Sequence, residues 1–222
     1  MDTLEVLLYP IVVAMGFVFE MLHGALGSYG LAIIGTSAVV RLVMYPIIKA
    51  SLRLEEKERR TQLAMAPAIA SATATLSGRA RFEAIDAVYQ THGYHPIKSL
   101  ITLVPLLLQI PFLLGALHLF VDYPALVAAK FLIIDDLSKP DQLVRLGTLA
   151  INVLPIALAA IAVLDSALNR NATRQARWRF LVVTAVLLVL IYPLPAAVCL
   201  YWLTSNVWSL ARTLVARAKV AV

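Results

Sequence analysis

The chain has 222 residues, of which 61% are hydrophobic and 14% charged, with a mean hydropathy of +0.84. Soluble domains run at roughly 45–50% apolar, so too little polar material is present to cover a water-soluble globule, and a polytopic membrane protein is expected. The formal net charge of +6 acquires meaning once it is divided between two sides of a bilayer, and one cysteine, Cys199, excludes an internal disulfide framework and a Cys-based zinc site.

Residues 1–27 begin Met-Asp-Thr-Leu-Glu, without the positive n-region of a cleavable signal, and the N-terminus is expected to be retained. Their apolar run is interrupted by Glu5, Pro10, Glu20 and His23. That pattern suits an amphipathic helix lying at the outer interface, with a genuine first span as the alternative. Residues 28–48 form the first span (TM1), whose 21 residues match a hydrocarbon core about 30 Å thick.

Residues 49–98 are rich in Ala, Leu, Glu and Arg, which favour helix. Ser77-Gly78 signals a turn, so a cytoplasmic helical hairpin is expected, with arms over about 50–75 and 79–91. Pro67 should kink the first arm, and Gly93 and Pro96 should end the second. The second span covers 99–121 and contains Pro105 and Pro111. An outer loop, 122–145, carries Asp122, Asp135, Asp136 and Asp141. The third span is 146–164, followed by a polar loop, 165–177. The apolar run 178–215 would make one helix about 57 Å long, too long for a single crossing. Pro193-Leu-Pro195 divides it into a fourth span, 178–193, and a fifth, 195–215, with a tail at 216–222.

The charges separate by side. The hairpin, the stretch 165–179 (with Arg170, Arg174, Arg177 and Arg179) and the end of the fifth span with the tail (Arg212, Arg217 and Lys219) are each +3, whereas 1–27 is −3 and 122–145 is −1. The positive-inside rule then orients the chain N-out and C-in. The expected fold is an all-α membrane protein: a five-transmembrane-helix bundle with a cytoplasmic helical hairpin and an N-terminal interfacial amphipathic helix.

Arg41 stands within TM1, where a charge costs about 2.5–3.5 kcal/mol near the helix centre. It either snorkels to the cytoplasmic interface or faces a water-filled cavity between helices. Ser37, one turn earlier, shares its face and favours the cavity. No Asp or Glu is expected in the spans at that depth. A cation in a wet groove would attract acidic side chains of an incoming peptide. Gln109, the second intramembrane polar residue, either bonds across helices or lines the same cavity. Tyr201, Trp202, Thr204, Ser205 and Asn206 make a polar–aromatic patch in the last span. His23, His92, His95 and His118 offer no ligand set for a metal. Protease, hydrolase and nucleotide-binding motifs are missing, so neither catalysis nor a cofactor is expected. The basic residues of the hairpin alternate with acids and lack aromatic neighbours. They read as a solvated surface for protein or ribosomal-RNA contact, not as a sequence-specific nucleic-acid site.

Five stretches, in order, resemble the YidC/oxidase-assembly/Albino family of membrane protein insertases. They are Tyr29-Gly-Leu-Ala-Ile-Ile34 with Val40-Arg41-Leu-Val-Met-Tyr-Pro46; Ala87-Val-Tyr-Gln-Thr-His-Gly93-Tyr-His-Pro96; Pro105-Leu-Leu-Leu-Gln109-Ile-Pro111; Phe131-Leu-Ile-Ile-Asp135-Asp-Leu-Ser-Lys-Pro140-Asp141; and Pro195-Ala-Ala-Val-Cys-Leu-Tyr201-Trp202-Leu-Thr-Ser-Asn206. The resemblance implies a hydrophilic groove open to cytoplasm and lipid but closed outward, in a protein of the bacterial plasma membrane. It implies an insertase and chaperone acting alone or beside the Sec translocon. Arg41 would be the groove cation, with Ser37, Gln109 and Trp202 near the substrate path and Tyr201 and Asn206 beside them. The implied partners are nascent membrane proteins and the lipid bilayer, with the Sec translocon and the ribosome as further candidates, and no DNA. His95 departs from the usual asparagine before Pro96, and the hairpin's middle, 68–76, is unusually apolar. Neither a large periplasmic domain nor a long basic tail is expected. The rival reading, a small transporter or channel subunit, calls for inverted repeats or acidic coupling residues.

Overall fold

A computed structural model describes residues 3–95, 97, 104–168 and 174–220. Pro96, the first residues of the expected second span (99–103) and Arg170 lie outside these. Seven α-helices occur among the described residues: α1 (Thr3–Leu26), α2 (Tyr29–Thr75), α3 (Gly78–Thr91), α4 (Val104–Val121), α5 (Val153–Leu168), α6 (Arg174–Ile191) and α7 (Ala196–Val220). A short antiparallel pair, β1 (Val144–Leu146) and β2 (Leu149–Ile151), precedes α5 and turns at Gly147.

The first span and the first hairpin arm are one helix. α2 continues through Pro46 and on past Lys49 without a break, because residues 48–63 contain no glycine or turn cluster and are dominated by strong helix formers. The third span begins later than expected. The β1–β2 hairpin occupies residues assigned to its start, and Asp141 sets the first turn of α5, its carboxylate accepting the Val153 N–H at 2.6 Å and the Leu154 N–H at 3.3 Å. Those N–H groups have no partner within the helix, and a carboxylate there also opposes the positive end of the helix dipole. α5 then runs on to Leu168, so Asp165 is helical.

The chain divides into two compact units, residues 44–110 and the remainder. In the first, α2 and α3 form a helical hairpin. Gln62 donates to the Tyr94 hydroxyl at 3.1 Å, and Tyr94 packs on Tyr89 with ring centroids 5.2 Å apart. Hydrogen bonds from Arg59 and Arg60 hold the Glu56 carboxyl at about 2, well below its ordinary range.

The other unit is a helical bundle capped at one end by the loop 122–152. α5 packs on both α6 and α7. α1 lies against α4 and α2. A Cβ on Gly115 would meet Ile11 Cγ2 at 3.2 Å and Met15 Sδ at 3.3 Å, and the Phe19 ring contacts those of Phe120 and Tyr123, each at 5.2 Å. By length and composition alone, Leu8–Leu26 is apolar enough to cross a membrane.

The capping loop is held by backbone bonds to the start of α7, where Ala196 and Ala197 N–H groups donate to the carbonyls of Lys139 and Leu137 at 2.8 and 3.0 Å. Asn152 ties it to the end of α6, donating to the Tyr192 carbonyl from Nδ2 at 2.8 Å. Leu126, Ile134 and Leu137 are buried in one cluster with Phe19, Ile33, Phe120 and Ala196–Tyr201. Asp136 organises the loop. Burial pushes its carboxyl pKa upward, but hydrogen bonds from Ser138, Lys139 and the Ser138 and Ala128 N–H groups outweigh this and hold it at about 2.

Candidate functional site

Burial stops part-way along the bundle. On α2, Ala32, Ile33, Thr36 and Ser37 are fully buried, while Leu42 and Val43 are 63% and 65% exposed. On α7, Ala196–Tyr201 and Ser205 are buried, and Val207 and Trp208 are exposed. On α5 the buried residues are Leu154, Pro155 and Leu158, all in the first turns. The helices are therefore close-packed next to the capping loop and looser away from it.

A polar layer marks the boundary. The Ser37 hydroxyl donates to the Tyr201 carbonyl at 2.8 Å, which commits its one proton. Ser205 therefore donates to Ser37 Oγ at 3.1 Å. Thr36 bonds back to Ala32 at 2.8 Å within its own helix, so the layer is internally satisfied. Arg41, half-buried, stands one turn beyond it on α2 and lies within electrostatic range of Tyr201 and of Arg212. Across from it in register, Ser209 donates to Asp165 at 3.0 Å, joining α7 to α5.

Of the residues singled out from sequence, Ser37 and Tyr201 touch directly, and Arg41 continues their face. Tyr201 enters through its carbonyl, its ring being buried against Phe120 at 6.2 Å. Trp202 and Asn206 are half-buried at the next positions round α7. Gln109 is half-buried on α4 and belongs to the other compact unit. Ser209, Asp165 and Arg212 were not singled out. The 201–205–209 spacing on α7 was the available signal for Ser209, since residues four apart share a helix face. Asp165 lies within α5, not in the loop expected at 165–177.

These features define a helical membrane-type bundle with a loop-capped end, a buried hydroxyl layer and an arginine beyond it. The profile of the family described as 60Kd inner membrane protein matches residues 21–221, and the chain belongs to that family. It is 26% identical over 204 residues to the membrane protein insertase YidC of Prosthecochloris aestuarii, and 29% identical over 198 residues to that of Neisseria meningitidis serogroup B. Each match covers 88% of this chain and 34% of the relative, so the chain spans about a third of the length of these relatives. Its fold is similar to that of an active YidC insertase crystal structure in which the first transmembrane domain is resolved. The TM-score is 0.62 at 21% identity, covering 96% of this chain and 47% of that one.

Proposed function

We propose that the chain is a membrane protein insertase and chaperone of the plasma membrane, with the hairpin and C-terminus on the cytoplasmic side. The supporting observation is the change in packing beyond the Ser37–Ser205 layer. Outward of it the bundle is closed by apolar contacts, and inward of it Arg41 occupies a loosened region. Moving a hydrophilic segment across a full hydrocarbon core is costly because its polar groups lose water. A hydrated groove reaching to the hydroxyl layer shortens the dry path. Arg41 draws acidic residues of the segment into it, and Trp202 lines the path. The client's apolar span leaves sideways into lipid, where burial of its surface supplies the free energy. The short fourth span assists by thinning the bilayer locally. No bond is made or broken, and no nucleotide is required.

The test uses liposomes containing only this protein and a single-span client with an acidic outer tail. Arg41→Ala should insert the client several-fold more slowly than wild type. Arg41→Lys should retain part of the activity, since charge survives without the planar guanidinium. Wild-type insertion by Arg41→Ala would refute the charge-attraction step. The Sec translocon and the ribosome are further candidate partners, to be sought by co-purification.

A further inference from the structure

We propose that the Leu132-Ile133 turn of the capping loop is a lipid anchor, which seats in the bilayer interface at the loop-capped end of the bundle and takes acyl chains as its ligand. The inference rests on the membrane reading above and adds a lipid-binding element to it.

The turn holds two apolar side chains outward. Phe131 and Ile134 exchange both backbone hydrogen bonds, each at 2.9 Å, which leaves Leu132 and Ile133 as a two-residue hairpin loop. Ile134 is buried and the Phe131 ring packs on Gly30, so the flanking side chains face the bundle. Leu132 is 87% exposed, more than any other large apolar side chain among the described residues, and Ile133 is 76% exposed. An exposed leucine is ordinary on a protein surface. A leucine at this backbone position is not. Its φ is +51°, in the left-handed region, where two-residue hairpin loops favour Gly, Asn or Asp. The same loop does use a glycine, Gly147, at φ +63° in the β1–β2 turn. At Leu132 the chain accepts backbone strain and keeps an apolar side chain at the tip.

Depth selects lipid as the occupant. Gly30 lies in the first turn of α2, where the apolar stretch assigned to the membrane begins. Contact with the Phe131 ring sets the turn at that level. Leu31, the next residue of α2, is itself exposed and continues the apolar surface. Leu132 and Ile133 follow Phe131 by one and two residues, at most about 7 Å of chain. The headgroup region is about 5–8 Å thick on each side of the hydrocarbon core, so the tip falls within the interface and not in open water. Lys130 and Asp135 flank the turn as an exposed ion pair at 3.2 Å, which puts charge at headgroup level behind an apolar tip. The backbone behind the turn is fixed, with Asp136 accepting the Ala128 N–H at 3.2 Å and Leu137 donating to the Ala129 carbonyl at 3.0 Å. A preformed tip loses little freedom when it inserts.

The experiment uses the full chain with Cys199→Ala in zwitterionic liposomes, labelled at single cysteines with a polarity-sensitive fluorophore. The positions are Leu132→Cys and Ile133→Cys, with Val186→Cys on the exposed face of α6 as the lipid reference and Ser77→Cys at the hairpin turn as the aqueous reference. Labels at 132 and 133 should emit to the blue of the label at 77 and resist quenching by aqueous iodide. A nitroxide near the top of the acyl chain should quench them more than one at its end. If both match the label at 77 while the label at 186 is quenched by lipid nitroxides, the anchor is refuted and the membrane reading survives. Protection of both from iodide and from nitroxides alike would mean that protein covers the turn, which also overturns the proposal. If the label at 186 is open to iodide and untouched by lipid nitroxides, the membrane reading fails and the anchor with it. As a readout that leaves the fluorophore off the tip, a label at Lys130→Cys should shift to the red when Leu132→Asp and Ile133→Asp are introduced together. An unchanged emission there would overturn the proposal as well.

Discussion

Asp136 holds much of the capping loop through one carboxylate, which accepts from Ser138 twice and from the Ala128 N–H and pairs with Lys139 at 3.0 Å. Its pKa is about 2 in the fold against an ordinary 3.8. A depressed carboxyl contributes stability that is complete above the unfolded pKa and lost as pH falls through the folded one. The wild-type protein in detergent micelles should therefore lose thermal stability between about pH 4 and pH 2. Asp136→Asn should start from a lower Tm at neutral pH and show a smaller further loss over the same range. An unchanged acid profile in the variant would remove Asp136 from the account. At this scale Arg41 and Ser37 were legible because a charge inside an apolar window and an i, i+4 spacing are both local. Ser205's bond to Ser37, across 168 residues, was not, since no local pattern encodes the register of two distant helices. Asp165 was read as a loop residue because hydropathy drops at a charge, whereas the helix continues and Ser209 satisfies the carboxylate.

Helix boundaries followed the same logic. The hairpin turn was expected at Ser77-Gly78, and α3 starts at Gly78, where φ is +56°. The β1–β2 pair was missed because three-residue strands are too short to show a period of two, and the Asp141 cap is twelve residues from the helix it starts. Gly30 lies directly against Phe131, where an added Cβ would fall within the phenyl ring. Gly30→Ala must displace that ring, and overpacking of this kind costs about 1–3 kcal/mol. The variant should unfold at a lower temperature in micelles. The double variant Gly30→Ala, Phe131→Ala should lose less than the two single losses added together, because the clash is removed with the ring. Strict additivity would show that Phe131 is not what constrains Gly30.

For the bundle as a whole, the functional reading turns on where water stops. Thr36 and Val198 are fully buried on the capping-loop side of the Ser37–Ser205 bond, and Arg41 and Ser209 lie beyond it at partial exposure. An apolar interior packed at protein density admits no water, whereas polar side chains beyond it can be hydrated. In a Cys199→Ala background, single cysteines at Arg41→Cys and Ser209→Cys should react with a charged, membrane-impermeant thiol reagent added from the cytoplasmic side of inverted vesicles. Cysteines at Thr36→Cys and Val198→Cys should stay inert to the reagent from either side until the protein is unfolded. Rapid labelling at Thr36→Cys or Val198→Cys would mean that the capping loop does not seal the bundle. Inert thiols at both inner positions would mean that lipid or protein, not water, surrounds Arg41, which would leave snorkelling as the account of its charge. The pattern across the four positions tests whether water stops at the Ser37–Ser205 bond.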